Sequence, residues 1–146
     1  MWLFNEATDP MHGDIPYGLH FSDDGNYDLM IRCRNGSTDA IIETTKDDVP
    51  ITNGNYLSVQ VKFDDNQATE TSWDAAVQRS AALYPGDATE LVRSAMNSRI
   101  MLMRLQSASG VVDLSFHLDG LRKAMEQVKD NACNWGQFYE AEAAQR

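Results

Sequence analysis

Asp28-Leu29-Met30-Ile31-Arg32-Cys33-Arg34 decides how this chain is read. Leu29, Ile31 and Cys33 fall on one face and Arg32 and Arg34 on the other, the period of two that a half-buried strand requires. Asn35-Gly36 follows, a pair that tolerates the positive φ angles of a tight hairpin turn, and Ala40-Ile41-Ile42-Glu43-Thr44-Thr45 can run back beside the first strand. Tyr56 to Phe63 alternates in the same way, with Leu57, Val59, Val61 and Phe63 facing in and Ser58, Gln60 and Lys62 facing out. Upstream, Trp2 to Ala7 and Tyr17 to Ser22 are weaker strands separated by Pro10, Gly13 and Pro16, which punctuate regular structure. The front half reads as mostly antiparallel sheet.

From Asp74 the pattern changes. Pro85-Gly86 and an acidic cap at Asp87 introduce helix formers through Met96, a short helix. Arg99 to Gln106 then gives a strand, Ser107 to Gly110 a turn, and Val111 to Leu118 a strand whose Val112, Leu114, Phe116 and Leu118 oppose Asp113, Ser115 and His117. The last element starts near Asp119, whose carboxylate suits a helix N-terminus, and carries Leu121, Ala124, Met125, Val128 and Ala132 at helical spacing. The expected fold is α+β, mainly antiparallel β as a curled sheet or sandwich, with a short helix and a C-terminal helix packed on it. Residues 1–136 form one β-rich domain in this reading, and 137–146 a polar helical extension or tail.

The chain has 146 residues and a net charge of −10. Residues 1–73 hold 13 acids against 4 bases, whereas 74–146 hold 9 against 8, so the acidic field belongs to the first half. Such a surface repels phosphate backbones, which disfavours direct binding to nucleic acid and favours a protein partner with a basic surface. Asp23-Asp24, Asp47-Asp48 and Asp64-Asp65 all fall at strand ends. They are either turn chemistry or an acidic rim whose attraction for a basic partner weakens as salt rises. No apolar stretch approaches the ~20 residues of a membrane-spanning helix, and Met1-Trp2-Leu3-Phe4 lacks the basic start of a secretory signal. The expectation is a cytoplasmic protein as written, and a periplasmic one if a signal has been removed.

Chemistry is poorly signposted. Nucleophile-elbow, phosphate-loop, dinucleotide-turn and zinc-protease motifs are missing from the sequence. Asp24-Gly25-Asn26-Tyr27-Asp28 opens like a calcium loop, but Leu29 stands where glycine is needed and Asn35 where the closing glutamate belongs. His12, Asp14 and His20 would make an acid/base or metal group only if their loop folded back on its strand. Cys33 and Cys133 have two readings: a bridge across the core in an oxidising compartment, or two reduced buried thiols. Their separation, with no histidine beside them, suits no zinc site. No cofactor, metal or catalytic residue is expected.

Several features in order resemble the VasI/TagO-type accessory proteins of bacterial type VI secretion. They are Trp2 with Asp9-Pro10-Met11 beyond it, Leu29-Met30-Ile31-Arg32-Cys33, Val59-Gln60-Val61-Lys62-Phe63-Asp64, Phe116-His117-Leu118-Asp119-Gly120-Leu121, and Ala132-Cys133-Asn134-Trp135. The set spans residues 2–135. The resemblance implies a small β-rich domain with a terminal helix, no catalytic residues, and a supporting or binding role at the cell envelope. Cys33 and Cys133 match its two recurrent cysteines, which implies a disulfide in an exported relative. Two other functions compete with this non-enzymatic one. A phage- or prophage-encoded inhibitor would imitate nucleic acid with its acidic face, and a hydrolase would use carboxylates or a histidine.

Overall fold

A computed structural model describes residues 2–6, 17–22, 26–34, 36–44, 51–52, 54–76, 80–108, 110–127 and 133–139, the first two segments by backbone alone. In chain order the elements are β1 (Trp2–Glu6), β2 (Tyr17–Ser22), β3 (Tyr27–Arg34), β4 (Ser37–Thr44), β5 (Tyr56–Phe63), β6 (Thr69–Ala75), β7 (Ala81–Leu83), α1 (Thr89–Met96), β8 (Ile100–Ser107), β9 (Gly110–His117) and α2 (Leu121–Glu126). The strands form one open, curled sheet in the order β1-β2-β3-β4-β7-β6-β5-β8-β9, every neighbouring pair antiparallel. The mainly antiparallel architecture read from the sequence is therefore correct.

Two hairpins fix the register. Gly36, with φ at +76°, turns β3 into β4 so that Arg34 meets Ser37 and Arg32 meets Asp39. The Arg32 guanidinium then donates to the Asp39 carboxylate at 2.8 Å. In the second hairpin Arg104 faces Asp113 across β8 and β9 and donates twice to its carboxylate, at 2.8 and 3.1 Å. A slip by one residue would turn every apolar side chain of either hairpin outward and break its Arg–Asp pair.

One face of the sheet carries the core. Leu29, Ile31, Ile42, Leu57, Val59, Trp73, Met103, Leu105 and Phe116 are buried on it. Val92, Ala95 and Met96 of α1, Leu121 and Met125 of α2, and Trp135 and Phe138 beyond α2 join the same cluster. The interior packs closely: between the sheet and α1 there is a void of about 10 Å³, lined by Leu29, Ile31, Trp73 and Val92 among others. That is room for about one water molecule and for no ligand.

Two expectations need correction, and part of a third lies outside the described residues. Asp119 does not cap the terminal helix: Gly120 holds the N-cap position at φ +89°, a conformation that a residue with a Cβ resists, and no side chain caps it. The described helix ends at Glu126, while Val128 and Ala132 lie outside the described residues. Two strands, β6 and β7, occupy a stretch that the sequence left without strands. Within β6 only Trp73 is a large apolar residue, because the other inward positions are Thr69, Thr71 and Ala75, and β7 is too short for alternation to show.

Candidate functional site

The structure brings Cys33 and Cys133 together as a disulfide, with a Cα–Cα distance of 5.9 Å and 100 residues of separation. Cys33 ends the inward row of β3, and its register partner on β4 is Thr38. Two residues after Cys133, the fully buried Trp135 donates its indole N–H to the Thr38 hydroxyl at 3.0 Å. The segment after α2 is thus fixed at adjacent points of one hairpin, once covalently and once by a buried hydrogen bond. Asp87 ties α1 to the same place, since its carboxylate accepts from the amides of Thr89 (2.8 Å) and Thr38 (3.3 Å). Arg93 of α1 stacks over the Phe138 ring at 5.6 Å and donates to Gln137 at 2.8 Å. These contacts fasten α1 and the segment after α2 to the β3–β4 hairpin.

The opposite face of the sheet is different. Outward positions on β5 are Tyr56, Ser58, Gln60 and Lys62; on β8, Ile100, Leu102, Arg104 and Gln106; on β9, Val111, Asp113, Ser115 and His117. Large apolar side chains stand exposed here: Tyr56 at 54%, Ile100 at 36%, Leu102 at 41% and Val111 at 58%. All four share this one face. Ile100 and Leu102 lie toward one end of the face and Tyr56 and Val111 toward the other, with the row of Gln60, Arg104 and Asp113 between them. A groove of about 390 Å³ crosses it, lined by Gln60, Lys62, Ala68, Leu102, Arg104 and Asp113.

Polar rows separate the apolar positions. Glu70, Gln60, Arg104 and Asp113 lie side by side across β6, β5, β8 and β9. The hydrogen bonds from Arg104 hold the Asp113 carboxyl below the usual carboxylate range, so this pair stays charged at neutral pH and keeps the centre of the face wettable. On β6, Glu70 accepts a hydrogen bond from Ser58 at 2.7 Å, and Asp74 is exposed.

The acidic rim read from the sequence is only partly visible. Asp23, Asp24, Asp47 and Asp48 lie outside the described residues, as do His12 and Asp14; His20 sits on β2, where the backbone alone is described. Asp64 and Asp65 are exposed in the turn from β5 to β6. The Asp64 carboxylate accepts from the amides of Arg99 and Ile100, both at 3.0 Å, and so secures the start of β8. Asp65 stands at the turn beside it. Among the described residues no group of three or more His, Cys, Asp or Glu side chains could hold a metal ion, and no helix is long and apolar enough to cross a membrane.

The sequence reading missed the apolar outer face. Its signal lay in β8: an outward Arg104 implies, by parity, that Ile100 and Leu102 point outward too, despite a run that looks apolar throughout. Comparison with family models, curated proteins and solved structures returns no match.

Proposed function

We propose that this chain is a non-enzymatic binding protein of the VasI/TagO accessory type, serving type VI secretion at the cell envelope. The observation that carries the reading is the Cys33–Cys133 disulfide, which joins the two cysteine-bearing motifs of the ordered set. Structural disulfides persist in oxidising compartments and are rare where thiols are kept reduced. The residues of the resemblance also serve one structural purpose: Cys33, Val59, Val61, Phe116, Leu121, Cys133 and Trp135 all belong to a single core. A scaffold closed in this way presents a fixed face for contact.

The test is made in the host. Intact cells are treated with a membrane-permeant thiol-reactive polymer before and after a reductant, and a deletion strain is assayed for type VI-dependent secretion. The expected result is two thiols that react only after reduction, together with reduced secretion that the wild-type gene restores. Freely reactive thiols in untreated cells, or secretion unchanged by the deletion, would overturn the proposal.

A further inference from the structure

We infer that the Cys33–Cys133 bond is gated: a small dithiol reduces it only after residues 134–139 lift from the core, neither by attack on the closed molecule nor through global unfolding. The inference does not rest on the reading of this chain as an accessory protein. Thiol–disulfide exchange requires a thiolate to reach one of the two sulfurs, so access sets its rate. In the closed molecule Cys33 is 5% exposed and Cys133 8%, and both belong to the core cluster. Cys33 lies on an interior strand: β3 pairs with β2 on one side and β4 on the other, where Cys33 meets Tyr17 and Thr38. Access from that side would break two ladders.

The segment after Cys133 is held differently. The amides of Gln137, Phe138 and Tyr139 donate to the carbonyls of Asn134, Trp135 and Gly136, so this backbone pairing travels with the segment when it lifts. Side chains anchor it: Trp135 donates to the Thr38 hydroxyl, Gln137 accepts from Arg93, Phe138 lies under the same guanidinium, and the Tyr139 hydroxyl donates to the Arg122 carbonyl. Trp135 stands beside the disulfide, because Thr38 is the cross-strand neighbour of Cys33. Lifting the segment uncovers the sulfurs and leaves the sheet paired, and partial openings of this kind cost less than global unfolding. Exchange then follows in two steps. One reagent thiolate attacks a sulfur, the S–S bond breaks, and the other cysteine leaves as thiolate. The second reagent thiolate attacks the mixed disulfide, so the reagent ends as a cyclic disulfide and both cysteines as thiols, which take up the two protons that the reagent released.

The experiment follows reduction of the folded, disulfide-intact full chain by dithiothreitol, with samples quenched by a thiol-alkylating reagent and the modified cysteines counted by mass. The expected rate is at least about a hundredfold below that of the same chain unfolded in concentrated urea. Below the unfolding transition it should rise less than about twofold per molar urea, whereas opening of the whole molecule would give about fivefold or more per molar. Trp135→Phe removes one anchor and should speed reduction about fivefold, the factor that loss of one buried hydrogen bond gives. Ile42→Val, about 13 Å along β4 from Thr38, should lower the urea midpoint and leave the rate within about twofold of wild type. A folded-state rate within about threefold of the unfolded one would overturn the inference by showing direct attack on the closed molecule. A urea dependence as steep as that of global unfolding, or acceleration by Ile42→Val equal to that by Trp135→Phe, would overturn it in favour of global opening. An unchanged rate in Trp135→Phe would remove the segment as the gate.

Discussion

At the residue scale, two buried tryptophans separate packing from hydrogen bonding. Trp73 and Trp135 are both fully buried, but Trp135 donates to Thr38 whereas the Trp73 indole N–H has no partner among the described residues. A buried donor without a partner costs about 1–3 kcal/mol, and a made bond contributes about 1 kcal/mol. Replacing either residue by Phe removes the same atoms, so the difference between the variants isolates the polar contribution. Trp135→Phe is expected to lower stability by at least about 1 kcal/mol more than Trp73→Phe in urea unfolding at pH 7, because it also strands the buried Thr38 hydroxyl. Equal losses would show that the Trp135–Thr38 bond contributes nothing. This level was the least legible beforehand. The alternation placed Leu57, Val59 and Phe116 correctly, since burial follows from parity alone. The Trp135–Thr38 bond joins residues 97 apart, and no local pattern encodes it.

At the element scale, α1 depends on a carboxylate that stands one residue before its N-cap. Ala88 occupies the cap position without a side-chain bond, while Asp87 accepts from the Thr89 amide and hydroxyl and from the Thr38 amide. Burial alone would raise the Asp87 pKa. The bonds from Thr89, Thr38 and Ser37 outweigh it and hold the group below its ordinary value of 3.8. A depressed carboxyl pKa gives stability that is complete above the ordinary value and is lost as pH falls through the lowered one. Asp87→Asn should therefore lower stability by about 1 kcal/mol at pH 7, an amount usual for a helix cap and limited here by solvent screening. The difference between the variant and the wild type should shrink as pH falls below 3.8 and through the lowered pKa, as read by thermal melts across pH 2–7; a constant difference at all pH values would exclude the charge as the cause. Asp87 was legible as an acidic cap because capping is a local rule. The strands β6 and β7 were not, since their burial comes from Trp73 meeting Tyr84 edge-on at 5.6 Å and from pairing with distant β4, not from their own alternation.

At the scale of the whole molecule, the sheet consists of two blocks joined through β7, a strand of three residues. β1 to β4 lie on one side of it, and β6, β5, β8 and β9 on the other. The Cys33–Cys133 bond links β3 of the first block to the chain that leaves β9 of the second. Closing a loop of this length contributes up to about 4–5 kcal/mol in the chain-entropy account. The paired Cys33→Ser and Cys133→Ser variant is therefore expected to lose several kcal/mol in urea unfolding, and wild-type protein in dithiothreitol should behave like the variant. Unaltered unfolding in the reductant would remove the bond from any role in stability. The overall architecture was readable because Leu29, Ile31 and Cys33 on β3, Leu57, Val59 and Val61 on β5, and Val112, Leu114 and Phe116 on β9 fill alternate inward positions without a break. The exposed face was not, because Ile100-Met101-Leu102-Met103 is apolar on both faces and only parity with Arg104 sorts it. The same covalent link bears on how the protein ages outside a cell: a protease that cuts the exposed run at residues 64–70 severs the backbone between the cysteines. The two pieces remain tethered, and the nicked protein runs as one species on a non-reducing gel until the sulfur bridge is opened.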